Sequence, residues 1–413
     1  MHDATVVVIG AGAAGVAAAR RLVEARIRVI VVEARDRVGG RGWTRNAAGF
    51  PLDLGCGWLH SADKNEWSRV AQALGFEIDP TPPPWGRRAL EAGFTAGDQA
   101  EFWAARDRFY ARLEAAAARG VDRPAAELLE PGERWNFLLD ALSTYINGVE
   151  LDRLSVIDFE RYQDTGTNWR VVKGYGALMA AYAAGLDIRL NCPATLIDHS
   201  GTRLRIETPQ GTIIADAAIV AVPSSMIASE TLRFNPRLPG KREAADALPL
   251  GLADKLFLGI DNPDVFRAET RLIGATDRTA TATYHLRPFG RPVIEGYFGG
   301  GLARELEGEG EEGFARFAID QIAARLGNDV RKHLRLITAS RWAHDPFARG
   351  SYSYARVGHA DARAVLAAAV NDRLFFAGEA CSRHDFSTAH GAYRTGLDAA
   401  EQVLKALSPV GPR

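Results

Sequence analysis

At 413 residues the chain is too long for one small core, so two domains or three lobes are expected. Hydrophobic residues at 47% and charged ones at 24% are ordinary for a soluble globular protein. The near balance of 50 basic and 51 acidic side chains, net −1, argues against a generally basic nucleic-acid binder.

The opening, MHDATVVVIGAG, has no positive n-region, and Gly10 and Gly12 interrupt its apolar run, so it reads as a poor signal peptide. Residues 6–9 form a continuous apolar run, as in a strand buried on both faces. Gly10, Gly12 and Gly15 follow in Gly-x-Gly-x-x-Gly spacing, an alanine-rich helix is predicted over 13–25, and a second buried strand over 29–32 ends at Glu33. This is a β-α-β unit with its glycine turn in the right place for a dinucleotide. Gly10 permits the tight turn, Gly12 lets backbone approach a pyrophosphate, and Gly15 allows close helix–strand packing. Ala13 and Ala14 open the helix, whose free N–H groups face the phosphates. Glu33 is placed to accept ribose hydroxyls.

From 80 to about 161 the character changes. PTPPPWGRR is a proline-rich break, and AEFWAARDRFYARLEAAAARG is strongly helical, so a helical insertion is expected. Strand signals return over 187–222, with a hairpin turn at Pro209-Gln210-Gly211. Residues 255–342 read as mixed strands (KLFLGI, TATATYHLR, VIEGYFGG) and one helix over 311–326. RLFFAGEA reads as a buried strand, 390–407 as a closing helix, and the tail ALSPVGPR as a frayed end. Lys255, at the start of an apolar strand, is either an edge residue whose stem snorkels to water or an ammonium held for chemistry.

Cys56, Cys192 and Cys381 lie far apart with no Cys-x-x-Cys pair, which fits a reducing compartment, the cytoplasm, rather than a disulfide framework. No apolar stretch reaches 18 residues, so no membrane span is expected, and no His/Asp/Glu set has metal spacing. Ser351, His344 and Asp345 could be assembled into a hydrolase triad, but no Gly-x-Ser-x-Gly elbow surrounds them.

The glycine fingerprint alone does not separate NAD from FAD. The stretch beginning at Glu33, EARDRVGGRGW, resembles the second signature of the flavin-dependent amine oxidase superfamily, in which Ala34, Arg35, Gly39, Gly40 and Arg41 would wrap the adenosine and pyrophosphate of FAD. Five further stretches resemble that family in its order. DLGCGWLH would put Gly55, Gly57 and Trp58 beside the flavin, with His60 near the substrate. NWRVVKGYGALMAAYAAGLDIRLNCPATLI resembles the return into the FAD domain, with Ala194 offering backbone to the adenine. ADKLFL carries Lys255, which the resemblance makes catalytic. WAHDPFARGSYSY would bring Trp342 and Tyr352 to the ring. LFFAGEACSRHDFSTAHGAYRTGLDAA would supply Gly378 and Glu379, with Thr388 and Ala389 opening the last helix at the flavin.

The match spans about residues 5 to 405 and implies an α/β fold: a Rossmann-like FAD-binding domain split along the chain as 1–75, 168–242 and 343–413. An α+β substrate domain, a mixed sheet plus the helical insertion, would take 76–167 and 243–342. Ser351 stands where monoamine oxidases carry a flavin-linked cysteine, so the resemblance implies non-covalent FAD. Thr388 stands where those enzymes have a second tyrosine beside Tyr352, which is more like the polyamine oxidases and the lysine-demethylase branch. The implied partners are a small-molecule amine, a polyamine or secondary amine being favoured, and O2; neither nucleic acid nor membrane is expected. His390 reads as structural. One rival is a flavin-dependent amino-acid oxidase or desaturase, the former with Arg161 or Arg170 for a carboxylate. The other is an FAD-bound scaffold without turnover.

Overall fold

The computed structural model describes residues 5–408. Residues 1–4, where the stretch read as a poor signal peptide begins, and 409–413, the end of the tail read as frayed, lie outside the described residues.

Thr5–Ile9 is the middle strand of a five-stranded sheet whose neighbours all run parallel. Across the sheet the order is Leu374–Phe376, Ala217–Val220, Thr5–Ile9, Arg28–Val32 and Ile188–Arg189. Segments far apart in sequence therefore meet in one layer. Both faces are covered, which is why the first strand reads as an apolar run and not as an alternation. Val6 and Val8 pack beneath the helices Ala13–Glu24 and Ala389–Leu407. Val7 and Ile9 face Ile197, Leu204 and Ile206 of a separate four-stranded sheet. The two covering helices touch backbone to backbone: a Cβ on Gly396 would lie 2.1 Å from the Ala14 carbonyl oxygen.

The second large sheet is antiparallel throughout, in the order Thr270–Ile273, Thr283–Leu286, Val293–Gly299, Ala253–Ile260 and Leu334–Ala339. Ala253–Ile260 has a hydrogen-bonded neighbour on each side and is buried almost throughout. Lys255 is thus on an interior strand, which removes the edge-residue reading. Helices Gly300–Glu309 and Glu311–Leu326 close this sheet through Leu306, Phe314 and Ile322. The helical insertion carries its own core, Phe102, Phe109 and Leu113 of Ala96–Ala118 against Leu138 and Val156. Thr95 and Asp98 form a reciprocal capping box at the start of that long helix.

The turn at 209–211 joins the paired strands Leu204–Thr208 and Gly211–Ala215, as expected. The ribbon Thr44–Ala47 with Phe50–Asp53, and the strand Thr270–Ile273, carry no strand signal above. The ribbon is polar, half exposed and interrupted by Pro51, so pairing rather than pattern makes it a strand.

Candidate active site

A cavity of about 340 Å³ lies where the C-terminal ends of the parallel strands meet the antiparallel sheet. Every residue named above as a contact of FAD or of an amine substrate lines it except Gly15. Gly15 packs instead: a Cβ there would sit 1.9 Å from the Gly10 carbonyl oxygen. Gly10 has φ +103°, and a Cβ on it would lie 2.7 Å from Ala221 O. At Gly12 the nearest atom to a Cβ would be Gly40 Cα at 4.0 Å, so the backbone there stays open. The helix Ala13–Glu24 has neither a side-chain cap nor an acid in its first turn, so its N–H groups are free for an anion.

Glu33 is buried, and its carboxylate accepts from Ala11 N at 2.7 Å and Arg35 N at 2.9 Å. It shapes the glycine turn even before a ligand arrives. Arg35 is clamped by Asp345 (2.7 and 3.2 Å), and Arg41 donates to Ser351 O at 2.7 Å and Glu379 at 2.9 Å. Both arginines are fixed parts of the wall. Glu379 also accepts from Ser353 Oγ (2.7 Å) and Ser387 N (2.9 Å). Burial would raise its carboxyl, but Arg41, the Ser353 hydroxyl and Arg363 bring it below the usual range. These open amides, the buried acid at the second strand and the clamped arginines fit a dinucleotide.

Beyond that cradle the cavity becomes aromatic. Trp342 is buried and its Nε1 donates to Leu54 O at 3.0 Å. The Tyr352 hydroxyl donates to Tyr145 O at 2.5 Å, and burial pushes its phenol upward. Trp58 meets Trp85 edge-on at 4.4 Å and carries the Arg170 guanidinium over its ring at 5.0 Å. Thr388 caps the last helix, accepting from Gly391 N at 3.0 Å and donating to Asp385 O at 2.6 Å. Its small side chain lines the cavity and is committed to the helix.

His60 Nδ1 lies 2.5 Å from Asn168 Oδ1, and Asn168 Nδ2 donates to Gly166 O at 3.0 Å. That second bond orients the amide, so Nδ1 carries the hydrogen and Nε2 holds the lone pair. Burial lowers the imidazole below its usual value, only partly opposed by Asn168, so it is neutral near pH 7. Cys56 is the one cysteine of this wall, and burial pushes its thiol up to about 12, with Asp53 adding to the shift.

Lys255 Nζ is paired with Glu295 Oε1 at 2.8 Å. Glu295, Asn168 and Tyr145 had no signal in the sequence; each reaches the site only through strand pairing or a loop contact. Ser351, His344 and Asp345 are separated into different bonds: Ser351 Oγ to Ala253 O (2.7 Å), His344 to Glu307, and Asp345 to Arg35. His390 is buried in the last helix with Nε2 3.5 Å from Asp385, in keeping with the structural reading. Neither Arg161, paired with Asp361 at 2.9 Å, nor Arg170, paired with Asp79 (2.6 Å) and Glu269 (2.9 Å), lines the cavity. Among the described residues, no cluster of His, Cys, Asp and Glu could hold a metal ion, and no helix is long and apolar enough to cross a membrane.

The same cradle and aromatic end lead to known proteins. The family model described as flavin containing amine oxidoreductase matches residues 13–143 and 126–404. Polyamine oxidase 3 of Oryza sativa subsp. japonica is 31% identical, covering 97% of this chain and 89% of its own. Polyamine oxidase 2 of Arabidopsis thaliana is 30% identical, over 96% and 87%. Among solved structures, cyclohexylamine oxidase from Brevibacterium oxydans IH-35A superposes with a TM-score of 0.79 at 20% identity, over 98% of this chain and 99% of its own. A redesigned putrescine oxidase double mutant gives the same TM-score at 18% identity, over 97% and 99%. These two establish likeness of fold. The chain belongs to the flavin-containing amine oxidoreductases, and it is an FAD-dependent enzyme that oxidises amines.

Proposed function

We propose that this enzyme oxidises a secondary amine or polyamine at the C–N bond, with O2 as electron acceptor. The observation that carries the reading is the meeting, in one cavity, of a dinucleotide cradle with the Lys255 ammonium and the Tyr352 ring. When bound, FAD supplies hydride acceptance from the carbon beside the nitrogen and electron transfer to O2, giving an imine and H2O2. Water then hydrolyses the imine to an aldehyde. Of the described residues, those within 1–75, 168–242 and 343–413 form the part that holds FAD, and those of 76–167 with 243–342 the part that receives the amine.

The chain's own residues do the rest. An amine enters as an ammonium and reacts neutral, so it must shed a proton first. His60 Nε2, the lone-pair nitrogen of a neutral imidazole, takes it. Tyr352, Trp342 and Trp58 exclude water and form the walls, which favours the neutral amine. Lys255 sets positive potential at the wall where negative charge develops. Ser351, bonded to the Ala253 backbone, offers no thiol, and the Cys56 thiol is held protonated, so FAD stays non-covalent. The three free cysteines suit the cytoplasm.

Thr388 supports the choice of substrate, since it gives up the space that a second ring would fill, and the polyamine oxidase relatives support it too. An amino-acid oxidase is disfavoured by the engagement of Arg161 and Arg170 elsewhere. Turnover across N-acetylspermine-like, spermidine-like and benzylamine-like substrates tests the assignment. The secondary and polyamines are expected to turn over fastest; a strict preference for benzylamine would reject the open pocket.

A further inference from the structure

Lys255 stands on an interior strand whose neighbour, Val293–Gly299, runs antiparallel. Lys255 lies opposite Tyr297, so Glu295, two residues earlier, is its diagonal neighbour on the same face of the sheet. Their charged atoms meet at 2.8 Å, and the side chains keep only 11% and 12% of their exposure. Nζ also lies against Gly57, where a Cβ would be 2.8 Å away. The ammonium therefore pairs with a carboxylate and packs beside a glycine that lines the cavity. The Tyr297 ring flanks it, 5.4 Å from Nζ to the centroid.

Two acids face Lys255, and the distances decide which one is its partner. Asp53 is committed elsewhere, accepting from Thr44 Oγ1 (2.5 Å), Tyr175 N (2.9 Å) and Gly176 N (3.3 Å). Burial raises the Asp53 carboxyl, with Lys255 and these donors only partly offsetting it. Glu295 goes the other way: burial would raise it, but Lys255, His285 and Tyr297 bring it below the usual range. Further polar groups stand beside Glu295, although no hydrogen bond joins it to His285, whose Nδ1 is buried without a partner. His285 is its direct cross-strand partner, and His285 Nε2 lies 2.9 Å from Glu269. Glu269 in turn accepts from Arg170 at 2.9 Å and from Phe289 N at 2.5 Å. These groups reach from the cavity wall toward the surface, where the Glu269 side chain keeps 20% of its exposure.

We propose that Glu295 is the positioning residue of this active site: it holds Lys255 as an ammonium against Gly57, and His285 and Glu269 stand beside it. The inference rests on the reading of Lys255 given above and adds the group that makes that reading physically sustainable. A buried ammonium without a counter-charge gives up its proton. Glu295 keeps the charge, and the braced sheet keeps its direction.

The test is Glu295→Gln, which preserves shape and removes the carboxylate. Lys255 then faces only Asp53, whose carboxyl is bound to three other donors and raised by burial, and the neutral, nucleophilic amine is favoured. Acetic anhydride labelling of Lys255 near pH 7.5, read by peptide mass spectrometry in both FAD-free and FAD-loaded protein, should rise on the order of tenfold or more. Glu295→Asp should return part of the protection. In the loaded enzyme, flavin reduction or its reoxidation by O2 should slow as it does in Lys255→Met. Lys255 labelling at the wild-type rate in Glu295→Gln, with Lys255→Met slow, overturns the role of Glu295 alone. Wild-type half-reactions in Lys255→Met overturn the reading of Lys255 itself. Should Glu295→Gln fail to fold, Lys255→Met with Glu295→Gln must restore folding, because no lone charge is left; a double variant no more stable than the single one overturns the proposal.

Discussion

Glu33→Ala probes the cradle at the point where one side chain does the most. The carboxylate accepts two backbone amides, Ala11 N at 2.7 Å and Arg35 N at 2.9 Å, from a buried position. Hydrogen bonds to a charged group are worth roughly 1.5–3 kcal/mol each. Cavity water can reach the freed amides when FAD is absent, so the low end applies, and the FAD-free protein should lose about 3 kcal/mol. A loosened glycine turn must then be ordered by the ligand, and each 1.4 kcal/mol of that cost is about tenfold in affinity. FAD binding should weaken by on the order of 10- to 100-fold, leaving the purified variant depleted yet recoverable with excess FAD. Glu33→Gln keeps one acceptor and should lose about half as much. Urea unfolding of the FAD-free protein and fluorescence titration with FAD measure the two effects separately. A variant with the wild-type urea midpoint and full FAD occupancy after dialysis would show that the acid does not organise the turn.

Acid precipitation should release all yellow colour into the supernatant, because Ser351 bonds the Ala253 backbone and the Cys56 thiol sits at about 12; flavin in the washed pellet would contradict this. Glu269 gives a pH signature. Burial opposes ionisation, yet His285 and Arg170 hold its carboxyl at about 2 against the usual 4.5. The folded value lies below the unfolded one, so its stabilisation is full above about pH 4.5 and is lost as pH falls through about 2. Discounted for its partial exposure, the contribution is roughly 2 kcal/mol. Wild type should lose about two thirds of that between pH 5 and 2.5 relative to Glu269→Gln, as read by urea unfolding; equal losses in both would show that Glu269 is not held in this way.

The elements that run locally were legible in the sequence. The β-α-β unit announces itself because turn, helix start and buried strand occur within one short stretch, and Gly10, Gly12 and Gly15 each have a separate steric reason. The helix Glu311–Leu326 and the turn at 209–211 follow from local pattern in the same way. The Thr388 cap was legible as the residue opening the last helix. Glu295 was not, because its meaning lies in a cross-strand diagonal to Lys255, and nothing in VIEGYFGG reveals which strand lies beside it. The engagement of Arg170 by Asp79 and Glu269 joins three distant segments, so a sequence could offer that arginine to a substrate carboxylate while the fold withholds it. Asn168 likewise fixes the His60 tautomer across a long loop contact.

The most direct test of amine oxidation by this cavity is anaerobic mixing of the FAD-loaded enzyme with a panel of amines and amino acids, followed by flavin absorbance. Secondary amines or polyamines should bleach the oxidised flavin spectrum, and the colour should return with H2O2 formation when O2 is admitted. Bleaching by amino acids alone, or by no member of the panel, would contradict amine oxidation by this cavity.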